Sequence, residues 1–159
     1  MAIDYIPRLQ ANFRAQGFPE YQWTSNDSAP FTPLKKPLSE CRIGVVSSAG
    51  VHLAEQEAFN PVRDDLTFRE IPRSMTQEQV VIHHNNYDKT DAYRDINCVI
   101  PFKAFSVLEE EGFVKSVADP VFTFMGRVFR RSALRNDMAP WVYQRFQEMD
   151  VDAAFLIPV

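Results

Sequence analysis

Residues 41–52, Cys41-Arg42-Ile43-Gly44-Val45-Val46-Ser47-Ser48-Ala49-Gly50-Val51-His52, decide how the fold is read. The first half is a short β-branched run, the composition of a buried strand, and it enters a tight loop of small residues. Outward from there, Phe68–Ile71 and Gln79–His83 read as two more strands. Pro101–Glu111 reads as a helix with Gly112 as its stop, and residues 126–148 as helix interrupted near Pro140. Ala153–Val159 is an apolar run of strand type. Strands alternating with helices predict an α/β domain with a largely parallel sheet and flanking helices, in Rossmann-like or flavodoxin-like layers. The chain carries no internal repeat and no low-complexity tract.

Ahead of this domain, residues 4–16 place Ile6, Leu9 and Phe13 at helical spacing. Residues 17–40 hold Pro19, Pro30, Pro33 and Pro37 together with Phe18, Tyr21, Trp23 and Phe31, an irregular arm too aromatic for a solvated linker. It is expected to pack on the domain or on a partner. The division is therefore residues 1–40, helix and arm, and residues 41–159, the α/β domain.

Composition narrows the function classes. The chain has 159 residues, 45% of them hydrophobic, which suits one folded domain rather than disorder. A net charge of −4 argues against broad binding to nucleic acid or anionic membranes. No apolar run approaches the roughly 20 residues of a membrane helix, and Met1–Tyr5 lacks the features of a signal peptide. Two cysteines, Cys41 and Cys98, fit neither a disulfide scaffold nor a Cys-rich zinc site. A cytoplasmic location is expected. Cys98, among apolar neighbours, is expected to be buried, and neither thiol has a base nearby in sequence.

Four groups of residues carry candidate chemistry. Ser47-Ser48-Ala49-Gly50-Val51-His52 follows a strand, where parallel α/β sheets bind ligands, and its amides and hydroxyls suit a carboxylate or phosphate. It lacks the dinucleotide glycine pattern and the P-loop lysine, so an ordinary tight turn is an equal reading. His83-His84-Asn85-Asn86-Tyr87-Asp88 also follows a strand. Adjacent residues there face opposite ways, so His83 and His84 cannot share one metal, but one of them can serve as acid or base. Asp88, Asp91 and Asp95 share a face if the segment is helical, a solvated acidic face being the simpler reading. Asn97 caps or bends the chain before Pro101. Arg127, Arg131 and Arg135, with Arg130 beside them, form a stripe at helical spacing, most simply a solvated one.

Taken together, VVSSAGVHL (45–53), FREIP (68–72), VIHHNNYDKTDAYRDINCVIP (81–101), EEEGFVKSVADPVFTFMG (109–126) and DVDAAFLIPV (150–159) resemble one family. It is the selenoprotein B subunits of glycine, sarcosine, betaine and D-proline reductases. The resemblance implies an anaerobic reductase that splits a carbon–nitrogen bond in an amino acid or amine. In that family a selenolate displaces the amine from the α-carbon, a second thiol resolves the adduct, and a partner subunit supplies a pyruvoyl group. In the shorter, D-proline-reductase-like members, a strand like DAAFLIPV runs straight into selenocysteine or cysteine, with a second cysteine three residues on.

The resemblance implies that the nucleophile falls directly after Val159. The expectation is that this chain ends at a UGA codon read as a stop, without the C-terminal part of its domain, and is inactive alone. His52 and His84 are then the candidates for the acid that protonates the leaving amine. Ser47, Ser48, Gly50, His83, Asp88, Asp91 and Asn97 are candidates for lining the substrate pocket. No metal and no cofactor are assigned to this chain. Selenocysteine or cysteine belongs to the full-length protein, and a pyruvoyl group to a partner. Expected partners are a small amine or amino-acid substrate, other reductase subunits and a second copy of the chain, with neither nucleic acid nor membrane. Two competing readings are a non-enzymatic module that binds a small molecule or subunit, and a metal-dependent hydrolase using His52, His84 and Asp91.

Overall fold

The computed structural model describes residues 5–19, 27–60 and 62–159. It divides into two compact units, residues 1–33 and 34–159. In the first, helix α1 (Ile6–Ala15) has Pro7 in its opening turn, where a missing N–H costs nothing, and ends before Gly17 at φ 76°. Phe13 and Phe18 approach to 6.0 Å between ring centres. Tyr21 and Trp23 of the expected arm lie outside the described residues.

The second unit is mixed α/β. Its central strand is β1 (Arg42–Ser47), five of whose six residues are buried. Strands β2 (Val51–Leu53), β3 (Arg69–Ile71) and β4 (Val80–Ile82) follow, then helices α2 (Thr90–Arg94) and α3 (Phe102–Glu110). Next come β5 (Ser116–Val117) and β6 (Val121–Thr123), a helical segment, and β7 (Ala153–Ile157). β1 is parallel to all three of β5, β6 and β7. β7 runs along one edge of β1 from Ile43↔Ala153 to Ser47↔Ile157. Because β5 pairs with Ile43 and β6 with Val46 and Ser47, both occupy the opposite edge. β3 closes the sheet antiparallel to β6. The mainly parallel sheet expected from the sequence is present.

Alternation along β1 puts a different core on each face. Ile43 and Val45 join Phe105 of α3 in one apolar cluster, while Val46 joins Phe122 and Phe146 in the other. Gly44 is the contact point of the second layer: a Cβ there would sit 2.5 Å from the Phe146 ring. That ring belongs to α5 (Ala139–Glu148), reached from α4 (Arg131–Ala133) through a π turn at Leu134–Met138. The expected interruption near Pro140 is this π turn. Pro140 has no N–H to offer, and the helix widens just upstream rather than breaking.

Three local expectations are corrected. Only Thr90–Arg94 is α-helical in the acidic segment, with Asp88 ahead of it and Asp95 extended at its end, so the three aspartates share no helical face. Arg127 precedes α4, so Arg127, Arg131 and Arg135 are not one helical stripe. Instead Arg127 donates to the Val62 carbonyl and stacks on Phe129 at 4.7 Å. Cys98 is exposed, because Val99 and Ile100 take the buried positions, and Cys41 is the buried thiol.

Candidate functional site

Three chain segments meet where β1 ends. Ser48 N–H donates to the Ile157 carbonyl at 3.0 Å, and the Ser48 carbonyl accepts from Gly126 N–H at 3.0 Å. The Ser48 hydroxyl accepts from Val159 N–H at 2.9 Å. The loop after β1 is thus stitched to the carboxyl end of β7 on one side and to the segment after β6 on the other. Ser47 is committed to the scaffold. Its buried hydroxyl donates to the Val99 carbonyl at 2.9 Å and accepts from Ala49 N–H at 3.3 Å. Gly50 then turns the chain out of the main sheet at φ 69°, a left-handed conformation that glycine adopts without steric cost.

Beyond Gly50, β2 pairs antiparallel with β4 as a separate two-stranded ribbon, in the register Val51↔Ile82, His52↔Val81. His83 N–H extends the pairing to the Gly50 carbonyl at 2.9 Å. This register sets His52 and His83 diagonally on one face of the ribbon and sends His84 to the other. His52 Nε2 and His83 Nδ1 are 2.7 Å apart, with the rings stacked at 4.9 Å. The second His52 nitrogen, Nδ1, is 2.7 Å from the Leu53 carbonyl, which can only accept. His52 is 3% exposed and its ring meets the edge of Phe59.

His84, also 3% exposed, accepts from Asn86 N–H through Nδ1 at 3.1 Å and packs on Tyr87. Its Nε2 is buried without a hydrogen-bond partner among the described residues. Tyr87 donates its hydroxyl to the Ala49 carbonyl at 3.0 Å, and burial pushes the phenol up to about 12. The phenol is therefore a neutral brace between the histidine loop and the loop after β1.

The remaining candidates stand elsewhere. Asp88 binds the N–H and hydroxyl of Thr90, and Asp91 faces solvent in an ion pair with Arg94 at 3.2 Å. Asn97 caps α3, as its sequence position suggested: its side-chain oxygen accepts from Lys103 N–H at 2.8 Å. It lines a cavity of about 390 Å³ with Arg73, Gln77, Arg94, Asp95 and Lys103, a cavity that includes none of the histidines. The hydrolase trio is not brought together, since His52 and His84 lie on opposite ribbon faces and Asp91 points outward. The His52–His83 pair went unread in the sequence. Its signal was the apolar–His alternation in Val51-His52-Leu53 against Val81-Ile82-His83, legible only once β2 is recognised as a strand.

The glycine/sarcosine/betaine reductase selenoprotein B family matches residues 10–158, a span that includes the loop, all three histidines and β7. The chain belongs to this family. It is also 32% identical over 126 residues to D-proline reductase subunit gamma of Acetoanaerobium sticklandii, a match covering 79% of this chain. The same match covers 52% of that relative, so the chain spans about half its length. No solved structure matches. Family members are subunits of reductase complexes, and among the described residues of this one no helix is long and apolar enough to cross a membrane.

In this selenoprotein B chain two histidines are held neutral. Burial lowers the His52 pKa, partly offset by the Leu53 hydrogen bond and reinforced by the charges of His83 and Arg69. Burial also lowers that of His84, with Lys89 adding to it. An unfolded chain takes up protons at these rings from about pH 6.5 downward, before the folded chain does. Their contribution to stability is complete above that pH and is lost as pH falls toward the folded values. The urea midpoint is therefore expected to drop between pH 7.5 and 5.5, above the range where carboxylates titrate. An unchanged midpoint would show that the buried rings are not neutral.

Proposed function

We propose that this chain is the substrate-shaping part of a selenoprotein B-type reductase subunit that cleaves a carbon–nitrogen bond in an amino acid or amine. The observation that carries the reading is the family match across residues 10–158, which takes in both the loop at Ser47–Gly50 and the histidine ribbon. A selenol, or the thiol of a cysteine, on the residue after Val159 supplies the nucleophile that displaces the amine. The residues present suit that position. Ser48 fixes the Val159 peptide through its hydroxyl, so the next residue leaves β7 beside a loop of small side chains at the carboxyl end of the parallel strands. A selenol there is ionised at neutral pH, whereas an ordinary thiol, with a pKa of about 8.5, is mostly protonated.

The chain's own side chains then divide the work. His84 Nε2, whose ring accepts at Nδ1, is a neutral N–H donor with no partner among the described residues, suited to a substrate oxygen. Ser48 and Gly50 tie the loop to the end of β7 and to the histidine ribbon. Asp88, Asp91 and Asn97 shape the flanking segment rather than touching the reacting atoms. The pyruvoyl group, where one is used, belongs to a partner subunit, and the complex works in the cytoplasm.

The nucleotide sequence after codon 159 tests this first. An in-frame UGA or cysteine codon, with a cysteine codon three positions on, is expected, whereas UAA or UAG would overturn it. The full-length protein, assembled with its partner subunits and given a dithiol, should release amine from its substrate. Serine in place of the residue after Val159 should lower that release at least 1,000-fold, in line with loss of a covalent nucleophile. Amine release that is indifferent to the substitution overturns the assignment.

A further inference from the structure

Resting on that reaction, we propose that His83 Nε2 delivers the proton to the departing amine, and that His52 is the positioning residue that fixes the His83 ring for it. Leu53 O has only lone pairs to offer, so the His52 nitrogen 2.7 Å away, Nδ1, carries the hydrogen. A neutral His52 then has a bare lone pair on Nε2. The His83 Nδ1 that faces it at 2.7 Å must be the donor. One carbonyl thereby sets both tautomers, and the remaining nitrogen of the pair, His83 Nε2, is left with its lone pair and no hydrogen-bond partner among the described residues.

A proton arriving at the pair goes to His83 Nε2. The His83 imidazolium that results still donates through Nδ1 to His52, in a hydrogen bond strengthened by the charge. His52 is the poorer place for the charge, because its ring is buried whereas that of His83 is half-buried. The charged groups around the pair agree. The Arg69 guanidinium of β3 lies over Phe59 at 4.4 Å, and the Phe59 ring borders His52, so a positive charge faces the inner ring. No carboxylate of a described residue hydrogen-bonds to either ring. Charge is thus pushed outward, to the half-buried His83. The arrangement parallels the way a carboxylate orients a catalytic histidine, with a carbonyl-anchored imidazole in the carboxylate's place.

His84 is unsuited to the acid role. Its Nδ1 accepts from Asn86 N–H, so its one proton is on Nε2, and giving that proton up would leave an imidazolate. In the step assigned to His83, the Nε2–H bond of the imidazolium breaks and an N–H bond forms on the leaving nitrogen. The imidazolium returns to neutral imidazole, and solvent at the half-buried edge restores the proton. His83 is well placed for this, because its peptide is closed onto Gly50 by a 2.9 Å hydrogen bond, two residues from the Ser48 that binds the Val159 peptide.

The test has two arms, both on the full-length protein. Imidazole ¹⁵N NMR reads tautomers without reference to any reaction. Near pH 8, His52 and His83 should both carry hydrogen on Nδ1, and on acidification His83 should protonate while His52 stays neutral. His52→Gln keeps an acceptor for His83 Nδ1–H and should keep the His83 tautomer, whereas His52→Leu should lose it. In the assembled reductase, His83→Gln should lower kcat by about 10²–10⁴-fold with little change in KM and should remove the limb of the pH profile that reports the acid. His52→Leu should displace that limb and His52→Gln should largely restore it. A hydrogen on His83 Nε2 in the neutral protein overturns the relay whatever the reaction. So does an unaltered pH profile in His83→Gln. A wild-type complex that releases no amine overturns the reaction reading instead, and the NMR arm tells that failure from failure of the relay.

Discussion

Phe122→Ala is expected to lower unfolding stability by about 3–5 kcal/mol, the range for removing a fully buried aromatic side chain. Phe122 is 0% exposed and sits on β6, paired to Val46 of β1 on one side and to Glu70 of β3 on the other. Its ring stacks on Phe146 at 5.5 Å and meets Trp141 edge-on at 5.1 Å, with the Arg145 guanidinium at 5.9 Å. It is thus the point where the sheet grips α5. Truncation removes the transfer energy of the ring, both aromatic contacts, and the filling of a space that β1 and β3 are too firmly paired to collapse into. A domain of this size has about 5–15 kcal/mol in total, so the variant should be partly unfolded near 37 °C. Urea unfolding followed by Trp141 fluorescence measures it, with Leu156→Ala, 66% exposed on β7, as the comparison. A loss under about 1.5 kcal/mol for Phe122→Ala would show that the second apolar cluster does not hold α5 in place.

How much of this was written in the chain depends on the range of the interactions involved. β1 was legible because a β-branched run with small residues after it is a local pattern. So was α3, because Gly112 ends it at φ 69° and needs no tertiary help to do so. β2, β5 and β6 are two or three residues long, below the length at which periodicity speaks, and exist through their partners. Asp88 and Asp95 looked helical only by spacing. Asp88 instead folds back on Thr90, and Asp95 on Asn97, the local competition that short polar side chains offer a helix.

The candidate site divides along the same line. The loop and the three histidines stood out as residue types at strand ends. Which histidine touches which could not be read, because a ribbon register that pairs His52 with Val81 depends on a turn at Gly50 and a hydrogen bond from Gly50 N–H to the Phe124 carbonyl just past β6. The family resemblance supplied the reaction but not this wiring. Resemblance ranked His52 and His84 as acids. As proposed above, one instead orients a neighbour and the other has the role of a neutral donor.

Gly50→Ala should separate site from scaffold more sharply than any change to a histidine. The alanine would pay for φ 69°, about 1–2 kcal/mol for an L-residue in the left-handed region. Its Cβ would also fall inside van der Waals contact of the His83 carbonyl oxygen and 3.3 Å from the His84 Cβ, neither of them the free end of a flexible side chain. Overpacking of that kind adds about 1–3 kcal/mol. Gly112→Ala is the matched control: it has the same φ of 69° and nothing within 4 Å of the new methyl, so it carries the conformational strain alone. The difference between the two urea-derived stabilities therefore isolates the close approach of the Gly50 loop to β4. The only relief open to Gly50→Ala is to push residues 83–84 away, which breaks the His83 N–H bond to Gly50 and lengthens the His52–His83 contact. Imidazole NMR should then show His83 released from its Nδ1–H tautomer in Gly50→Ala and undisturbed in Gly112→Ala. Equal stability losses with an intact His83 tautomer in both would mean that the loop and the histidine ribbon are not mechanically joined at Gly50.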